Sequence, residues 1–377
     1  MEKHLHIVTL DIPFPVNYGG VIDLYYKIVF LARAGIKIHL HCFHHEKEKQ
    51  EEELDKYCYE VNYYPRRKGH KGLSHKLPYI VSSRTSPELL DKLSEDEYPI
   101  LLEGIHCTCI LHDERFHNRK IYLRLHNVEY KYYRQLYYAS GSLFRKIYFY
   151  LESMLLKKYE AGIANRVSNI IAVSENDITT YRKEFHTKKI EHLPVFTGFN
   201  EVDCPEGIGC FCLYHGNLSV PENEKAVSWL VTNVFNDLGV PFVIAGKNPS
   251  SKLVRLAGRH EHVCIVANPT EEEMQDMIKK AQINIIPSLN NTGIKLKLLN
   301  ALYNGRHCVV NDATVEGTSL ASACHVAGNA SGFKSIIAQL YHKPFPEDEL
   351  ILRKKLLQGS FDNSRNAGRL IGMIWPS

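Results

Sequence analysis

The chain has 377 residues, of which 44% are hydrophobic and 23% are charged. These fractions are close to the globular average, so they exclude a wholly disordered chain, a collagen-like repeat and a coiled coil. The 46 Lys and Arg residues nearly balance the 42 Asp and Glu residues, and the net charge of +4 does not indicate a nucleic-acid partner. At roughly 150 residues per domain, the length predicts two or three domains.

The ten cysteines do not form the pattern of a disulfide framework or a zinc knuckle. They occur singly or as the close pairs Cys107/Cys109 and Cys210/Cys212, which a short strand would project onto one face without bridging. The first twenty residues contain only a short apolar run that His6 interrupts, and no apolar stretch reaches about eighteen residues. We therefore expect a cytoplasmic protein that is neither secreted through a signal peptide nor membrane-spanning.

The first half of the chain alternates predicted strands and helices. A buried strand at residues 5–10, an apolar helix at 21–34 and a second strand at 36–43 make one βαβ unit. The other elements predicted in this half are strands at 61–64, 100–102, 121–125 and 170–173 and a mixed-charge, solvated helix at 46–56. Units of this kind pack as a parallel sheet with helices on both faces.

The alternation restarts after residues 194–211, a Gly- and Pro-containing stretch that we interpret as an inter-domain linker. The strands predicted beyond it are residues 211–215, 242–245, 262–266, 283–286 and 308–310. The helices predicted beyond it are residues 222–238, 250–258, 271–280 and 294–304. The predicted fold class is therefore α/β, with two Rossmann-like doubly wound domains facing a central cleft. Ligands of such sheets bind beyond the carboxyl ends of the strands.

Missing motifs exclude several common chemistries. The only near match to the dinucleotide fingerprint, Gly207-Ile208-Gly209, precedes a strand instead of following one. The sequence contains no P-loop, no H-E-x-x-H and no Asp-x-Asp that would hold a cation on a sugar-nucleotide diphosphate. A metal could be ligated by the clustered histidines His39, His41, His44 and His45. Solvated imidazoles at a strand end explain that cluster better, so no metal site is predicted.

Two candidate sites follow strands in the first half. Tyr18, Gly19 and Gly20 join a buried strand to a helix, where glycine lets a ligand approach the helix N-terminus. An ordinary βα turn is the alternative interpretation. His126 follows the strand at 121–125, and a neutral imidazole there can hydrogen-bond a sugar hydroxyl or donate to developing charge. A helix-capping histidine is the alternative.

The second half offers more polar residues after its strands and around the helix at 294–304. With Tyr18, Gly19 and Gly20, the candidate ligand-binding residues are Gly216, Asn217, Lys247, Asn268, Thr292, Gly293, Lys295, Lys297 and Asn300. Lys295 and Lys297 fall in the first turns of that helix, where each cation opposes the helix dipole by about 0.3–1 kcal/mol. They therefore need an anionic partner such as a diphosphate, unless both are simply solvated.

The order of these motifs resembles the retaining glycosyltransferases of family 4 (glycosyl transferases group 1), which have the two-Rossmann-domain GT-B architecture. The resemblance covers nearly the whole chain. Its most specific segments are RLHNVE at 124–129, AVSEND at 172–177, HGNLSVPEN at 215–223, GKNPS at 246–250, TGIKLKLLNALYNGRHCVV at 292–310 and EG at 316–317. The chain is most similar to the branch in which Gly-x-x-x-Lys, here Gly293 and Lys297, precedes an acidic position.

The resemblance implies a hexosyltransferase that moves a sugar from a UDP- or GDP-linked donor to a glycan or lipid-linked acceptor in polysaccharide or glycolipid biosynthesis. It implies retention at the anomeric carbon, no metal, and no cofactor besides the nucleotide-diphosphate sugar as co-substrate. The implied domains are an acceptor-binding domain at 1–195, a donor-binding domain at 196–360, and a C-terminal helix at 361–377 that packs back on the first domain. By the same resemblance, the candidate ligand-binding residues named above become the predicted donor-binding residues, with Gly19 and Gly20 beside the donor phosphates, and His126 would contact the donor sugar.

Two positions depart from the family pattern. The family's two glutamates, eight residues apart, usually bind the donor sugar and the ribose, and these positions are Thr292 and Asn300 here. A neutral amide can still hydrogen-bond a ribose hydroxyl, but less strongly than a carboxylate. Two alternatives follow: a catalytically impaired GT-B relative that binds nucleotide-sugar or glycan as a partner subunit, and a nucleotide-sugar epimerase of similar architecture.

The family's frequent Arg and Lys near the first turn of the second domain are also replaced. Asn217 and, near it, Asn223 stand there. The phosphate charge must then be met by Lys247, Lys295 or Lys297.

The predicted acceptor side is basic and aromatic. Residues 61–87 contain six Lys or Arg and no acidic residue, and residues 122–159 contain nine tyrosines. These tyrosines are interleaved with cations that include Lys131, Arg134, Arg145 and Lys146. Cationic segments beside an amphipathic helix such as 143–159 suit an anionic membrane surface, although these aromatics could simply be core. We therefore predict peripheral contact with the inner face of the membrane, and no nucleic-acid partner.

Overall fold

The computed structural model describes residues 2–16, 19–44, 52–74 and 76–376. The chain forms two compact units. The first consists of residues 1–198 and 361–377, and the second of residues 199–360. Each unit is described by itself below.

A seven-stranded sheet forms the centre of the first unit. Its strands are β1 (Lys3–Thr9), β2 (Ile36–His44), β3 (Glu60–Pro65), β4 (Ile100–Glu103), β5 (Ile121–Leu125), β6 (Asn169–Ala172) and β7 (Ile190–His192). All neighbours pair in parallel, in the order β3-β2-β1-β4-β5-β6-β7. The chain starts in the middle, builds one side and then crosses β1 to build the other, as in doubly wound folds.

Helices connect these strands. They are α1 (Gly19–Arg33), α2 (Tyr79–Ser82), α3 (Pro87–Leu93), α4 (Glu129–Ala139), α5 (Leu143–Ile163) and α6 (Glu175–Phe185). Short 3-10 turns occur at Leu54–Lys56, Gly69–Gly72, Ile105–His112 and Glu114–Phe116. Apolar side chains pack on both faces of the sheet: in β1, Leu5 and Ile7 join one core cluster while Val8 joins the other. This alternation between two buried faces is typical of a parallel sheet covered by helices.

The second unit has a six-stranded parallel sheet in the order β10-β9-β8-β11-β12-β13. Its strands are β8 (Cys212–Asn217), β9 (Phe242–Lys247), β10 (Val263–Ala267), β11 (Ile283–Ile286), β12 (His307–Val310) and β13 (His325–Val326). Its helices are α7 (Pro221–Asn233), α8 (Ser251–Ala257), α9 (Glu271–Lys280), α10 (Leu296–Asn304), α11 (Asp312–Val315), α12 (Ala330–Leu340) and α13 (Glu347–Ser360), with a 3-10 turn at Ala321–Ala323. Local sequence explains several helix starts. Pro221 opens α7, and Thr270 and Glu273 form a capping box on α9.

The C-terminal segment returns to the first unit. Helix α14 (Asn363–Ile374) packs against α1, and its Leu370 and Ile374 lie in the same core cluster as Leu24 and Ile28. The chain therefore ends on the sheet where it began.

Two doubly wound parallel sheets confirm the predicted fold class, but individual elements differ from the prediction. Helix α7 ends at Asn233, five residues before the predicted end, because Val234 and Phe235 leave the helix to enter the core, where Phe235 stacks on Phe242 at 3.9 Å. Helix α10 begins at Leu296 and not at 294, so Lys295 is an extended residue that precedes the first turn.

Two further expectations concern segments of the first unit. The predicted strand around Cys107/Cys109 is wrong: these residues lie in a 3-10 helix that follows Gly104, whose φ of 84° turns the chain sharply. Of the predicted helix at 46–56, residues up to 51 lie outside the described part, and the described remainder forms the 3-10 turn at Leu54–Lys56. All ten cysteines are free thiols.

The expectation of solvated imidazoles in β2 is also wrong. His39 and His41 are buried, and their rings hydrogen-bond at 2.9 Å to His4 and His6 of the neighbouring strand. Burial lowers the pKa of His41 well below its ordinary value, so its ring stays neutral, and its two nitrogens hydrogen-bond His6 and the Tyr64 hydroxyl. The other two histidines of that cluster are His44, which ends β2, and His45, which lies outside the described residues.

The close pairing of β8 with β9 depends on glycine. A Cβ added to Gly246 would lie 1.9 Å from the Gly216 carbonyl oxygen and 2.9 Å from Leu218. We expect Gly246→Ala to destabilise the protein by about 1–3 kcal/mol, as overpacking of a rigid site does. The matched control is Gly239→Ala, because a Cβ at Gly239 would meet nothing within 4 Å. Urea denaturation measures both variants, and equal midpoints would contradict the packing argument.

Candidate functional site

The second unit concentrates its polar residues where its strand order reverses. The chain leaves β8 for β9 on one side and returns to β11 on the other, so the carboxyl ends of β8 and β11 flank a crevice of the kind in which open α/β sheets bind ligands. Residues 215–223 run from the end of β8 into the first turn of α7, and residues 287–295 lead from β11 into α10. Five of the nine predicted donor-binding residues of this unit lie in these two segments: Gly216, Asn217, Thr292, Gly293 and Lys295.

A carboxylate of α7 holds the loop after β11. Glu222 accepts hydrogen bonds from the Ser288 hydroxyl at 3.1 Å and the Leu289 amide at 3.3 Å, and its other oxygen bonds the Asn290 amide group. Asn290 in turn accepts from the backbone and hydroxyl of Thr292, both at 3.2 Å. The sequence prediction missed Glu222, although an acidic residue directly after Pro221 marks the start of a helix that follows a strand.

The two lysines near α10 have different surroundings. Lys295, before the first turn, donates to the Thr292 carbonyl at 2.7 Å and to the Asn290 side chain. Its ammonium therefore fixes the loop. Gly293 has a φ of 60°, a left-handed conformation that favours glycine and lets the loop turn into the helix.

Lys297 is half-buried and faces the crevice end of β8. Its ammonium donates to the Tyr214 hydroxyl and to the Asn223 side-chain oxygen, both at 3.1 Å, and lies 4.8 Å from the centre of the Tyr214 ring. In the described chain no carboxylate forms an ion pair with it. Burial lowers the pKa of Lys297 to about 8, against an opposing effect of Glu222. An anion placed here would stabilise the charge that burial disfavours.

His215 is a second buried group beside Lys297 that sequence reasoning missed. Burial, with the nearby Lys297 charge, lowers the pKa of His215 to about 3, so the ring is neutral at physiological pH. Its Nε2 is buried and has no hydrogen-bond partner among the residues that the structure describes. The sequence signal was available, because His215 ends the apolar part of β8.

The remaining predicted residues of this unit line the same edge without converging on Lys297. Asn217 pairs in register with Lys247 at the ends of β8 and β9, and both side chains are exposed. Asn268 is exposed and accepts a hydrogen bond from the Asn248 amide at 2.8 Å, which braces the turn after β9. On α10, the side-chain oxygen of Asn300 accepts from Asn304 at 2.8 Å. Thr292, by contrast, is buried within its loop.

In the first unit, the strand order reverses between β1 and β4, and His126 lies at the same sheet edge, directly after β5. Its Nε2 is 3.0 Å from the Glu103 carboxylate, and its Nδ1 is 3.9 Å from Asp23. A carboxylate accepts but does not donate, so Nε2 carries the proton and Glu103 sets the ring orientation. Gly19 and Gly20 form the first residues of α1. Tyr18 lies outside the described residues.

The carboxylates beside His126 belong to a buried charge cluster, which consists of Asp23, Lys27, Glu103 and Arg124. Lys27 contacts Asp23 at 2.9 Å and Glu103 at 2.7 Å, and Arg124 contacts Asp23 at 3.1 Å. Burial would raise the pKa of both carboxyl groups, but Arg124 and Lys27 outweigh it for Asp23, and Lys27 and His126 for Glu103, so both pKa values lie below the ordinary range. Although Asp23, Glu103 and His126 are close enough to hold a metal, the two basic side chains already compensate these carboxylates.

The α4–α5 hairpin, defined by residues 129–163, carries the aromatic segment. Tyr130 and Tyr159 are buried, whereas Phe144 is 87% exposed. Further exposed apolar side chains of the hairpin are Tyr138, Leu143, Ile147, Tyr148, Tyr150, Leu151, Met154 and Leu155. The alternative that these aromatics are simply core is therefore wrong for this outer face. No helix in the described ranges has the length and hydrophobicity that crossing a membrane would require.

Comparisons with known proteins give a family match within the second unit and relatives that span most of the chain. Residues 210–343 match the family described as glycosyl transferases group 1, and this range contains all predicted donor-binding residues of the second unit. A Klebsiella pneumoniae protein, named as an uncharacterized 44.6 kDa protein in cps region, is 27% identical over 335 residues, which cover 83% of this chain and 84% of the relative.

Two solved structures share the fold over the whole chain. HepE of Anabaena, solved in complex with UDP and glucose, has a TM-score of 0.67 at 10% identity and covers 99% of both chains. The pneumococcal O-GlcNAc transferase GtfA, solved in complex with UDP and GlcNAc, has a TM-score of 0.65 at 9% identity and covers 99% of this chain and 98% of its own. The two-domain Rossmann-like GT-B fold is thereby confirmed, and together with the family match these likenesses support a glycosyltransferase.

The pKa of Lys297 generates a testable pH dependence. If a diphosphate binds there, it raises the pKa of Lys297, so binding is strongest below about pH 8 and weakens as the free protein loses that proton. Between pH 7 and about pH 8.8 we expect the affinity for UDP to fall about sixfold, as linkage to one such group predicts. Two neighbours, His215 with a pKa of about 3 and Tyr214 with a raised pKa, do not titrate in this range.

Isothermal calorimetry at the two pH values measures this dependence. The Lys297→Met variant should bind UDP more weakly, and its affinity should not show the sixfold fall between the two pH values. Lys252 is an exposed lysine of α8, and the Lys252→Met variant should match the wild type. An identical pH profile for wild type and Lys297→Met would show that the ammonium does not contact the ligand.

Proposed function

We propose that this protein is a glycosyltransferase that transfers a sugar from a nucleotide-diphosphate sugar to a glycan or lipid-linked acceptor. The observation that carries the proposal is the half-buried Lys297 ammonium at the strand-order reversal of the second unit. It lies within the range that matches the glycosyl transferase family. A cation there, beside the start of α10, suits a diphosphate, which also benefits from the positive end of the helix dipole.

The second unit would hold the donor. Lys297 would contact the diphosphate, and Lys295 would keep the loop at 290–295 in place through its bonds to Asn290 and Thr292. As the sugar–phosphate bond breaks, negative charge grows on the leaving diphosphate, and positioned cations stabilise it without reorganisation. UDP is the favoured nucleotide because both structural neighbours described above were solved with it. A role in polysaccharide assembly fits the cps region that the curated relative is named for.

His126 would act on the donor sugar from the first unit. Glu103 holds its Nε2–H, which fixes the ring and keeps it from rotating away. Asp23 and Glu103 are poor candidates for a covalent nucleophile because Lys27 and Arg124 already compensate their charges. We therefore propose, as for the family, that the acceptor attacks the face of the sugar that the diphosphate leaves, so that the anomeric configuration is retained. The leaving phosphate would act as the base, and no metal would take part in the transfer step.

A second candidate is a catalytically impaired binding protein. Thr292 and Asn300, at the positions of the family's two glutamates, have their side chains engaged by Asn290 and Asn304. These neutral side chains form weaker hydrogen bonds to a donor sugar than free carboxylates would. Turnover separates the two candidates, and conversion of free donor to an epimer would identify an epimerase instead.

The function is tested by incubating the purified protein with UDP- and GDP-linked sugars and following release of the nucleoside diphosphate, with and without EDTA. We expect release from at least one UDP-sugar in EDTA, and an α-linked product from an α-linked donor by NMR. Loss of turnover in EDTA that magnesium or manganese restores would contradict the metal-free transfer step. Nucleotide-sugar binding without turnover for any acceptor would favour the binding protein.

Replacing His126 separates catalysis from nucleotide binding. His126→Ala should lower kcat by about 100-fold or more, the scale of a positioned hydrogen-bonding group. The Kd for UDP should stay within a few-fold, since Lys297 belongs to the other unit. His117→Ala, an exposed histidine of the first unit, is the matched control and should leave both constants unchanged. A folded His126→Ala protein with wild-type kcat would reduce His126 to a structural role.

We further propose that the α4–α5 hairpin contacts an anionic membrane that carries the acceptor. Its three acidic residues, Glu129, Glu152 and Glu160, are all buried. Its exposed charged side chains are Arg134, Arg145, Lys157 and Lys158. An apolar face flanked only by exposed cations suits a lipid surface with negative headgroups.

Sedimentation with vesicles tests this contact. We expect binding to phosphatidylglycerol-containing vesicles and little binding to pure phosphatidylcholine. Phe144→Ser should weaken partitioning roughly tenfold, because a fully buried Phe contributes roughly 1.5–3 kcal/mol. Ile351→Ser, which removes a comparably exposed apolar side chain from the second unit, should not change it. Equal partitioning of both variants would show that the hairpin does not insert.

A further inference from the structure

Three side chains of the second unit meet away from the carboxyl ends of its strands. His307 is the first residue of β12, His325 is the first residue of the edge strand β13, and Glu349 lies in the first turn of α13. Glu349 is 3.6 Å from His307 Nδ1 and 3.5 Å from His325 Nε2. The three atoms all lie within 4.8 Å of one another.

The protonation of His307 can be read from its other nitrogen. Nε2 lies 3.1 Å from the Lys343 carbonyl oxygen, which can only accept, so Nε2 carries the proton. In a neutral ring Nδ1 then presents a lone pair toward Glu349. A backbone carbonyl bonded to the far nitrogen is the arrangement that orients metal-binding histidines.

Both facing nitrogens lack a hydrogen-bond partner. His307 Nδ1 and His325 Nε2 are buried atoms without such a partner in the part of the chain that the structure describes. Their separations from Glu349 exceed the roughly 2.7–3.2 Å of an N–H···O hydrogen bond. Leaving two buried polar atoms unsatisfied is costly, so an occupant that bonds all three groups would stabilise the unit.

The carboxylate of Glu349 differs from those of the charge cluster in the first unit. There, Lys27 and Arg124 already compensate the carboxylates of Asp23 and Glu103. Here, among the described residues, no Lys or Arg forms an ion pair with Glu349, and both of its ion-pair distances are to imidazoles. Its carboxylate charge is therefore available to a cation.

We propose that His307, His325 and Glu349 bind a divalent transition metal ion of the zinc class. Zn–N and Zn–O bonds of about 2.0–2.2 Å at tetrahedral angles put neighbouring ligand atoms about 3.3–3.5 Å apart. The two histidine–glutamate distances already match that spacing within a few tenths of an ångström. Two imidazoles and one carboxylate are a common zinc ligand set, and solvent supplies the fourth ligand. His325 and Glu349 are partly exposed, which gives the ion a route in.

The metal would be structural and independent of the proposed transfer reaction. His307 stands at the amino-terminal start of β12, whereas the candidate donor-binding residues lie at the carboxyl ends of the strands. The ion would join β12 to the two-residue strand β13 and to α13. Removing it should loosen this edge of the second unit and leave nucleotide binding in place.

Zinc titration of the untagged 377-residue chain after EDTA treatment and dialysis tests the site. We expect one zinc ion per chain and a higher Tm with zinc. His325→Ala and the near-isosteric Glu349→Gln should weaken zinc binding more than about 100-fold, because even the loss of a group that only hydrogen-bonds a metal ligand costs up to about 100-fold. The matched controls are Glu347→Gln, on the same turn of α13, and His342→Ala, both exposed. They should bind zinc as the wild type does, and circular dichroism checks that every variant is folded.

Cobalt substitution identifies the ligands. The account predicts intense visible absorption from a four-coordinate ion and no thiolate-to-cobalt band in the near ultraviolet. A thiolate band would show that cysteines such as Cys308 or Cys324 bind the ion instead, and would overturn the proposal. Zinc binding below one ion per chain, or wild-type affinity in folded Glu349→Gln and His325→Ala, would also overturn it.

Discussion

The charge cluster of Asp23, Lys27, Glu103 and Arg124 ties the first unit together at its strand-order reversal. Buried ions are costly unless each is paired, and removal of one partner leaves an uncompensated charge. Asp23 and Lys27 come from α1, and Glu103 and Arg124 from β4 and β5. Arg124 also donates to the carbonyls of residues 193 and 194, and Asp23 accepts from the backbone of residue 196, so the cluster also fixes the segment that leaves β7. Because Lys27 holds Glu103 in place, the hydrogen bond from His126 to Glu103 fixes the orientation of the imidazole ring.

In the second unit, two charged side chains hold the loop that leads into α10. Glu222 holds the loop after β11, and Lys295 holds the same loop from its other end, so the start of α10 is fixed before any ligand arrives. Lys297 differs because its partners, Tyr214 and Asn223, are neutral. A half-buried cation with neutral partners is stabilised most by a ligand that brings negative charge. This is the physical reason to place a diphosphate there.

Patterns local in sequence predicted the fold well. Buried strands separated by helices specify a parallel sheet, and α9, β11 and the start of β2 lie where periodicity put them. The predictions failed where contacts between residues distant in sequence determine the local structure. His39 and His41 are satisfied by histidines of β1, and only the strand register reveals those partners. The candidate site followed the same rule: positions after strands could be predicted, but Glu222, Asp23 and Glu103 act through partners distant in sequence. Asp23 and Lys27, four residues apart in a mostly apolar helix, were a local signal for the charge cluster.

Amide hydrogen exchange, measured with and without a UDP-sugar, tests whether a nucleotide-diphosphate sugar binds at the carboxyl ends of β8 and β11. We expect slower exchange in peptides that cover residues 215–223 and 288–300, and loss of that protection in Lys297→Met. Protection confined to other parts of the chain, with these two segments unchanged at saturating nucleotide, would contradict it.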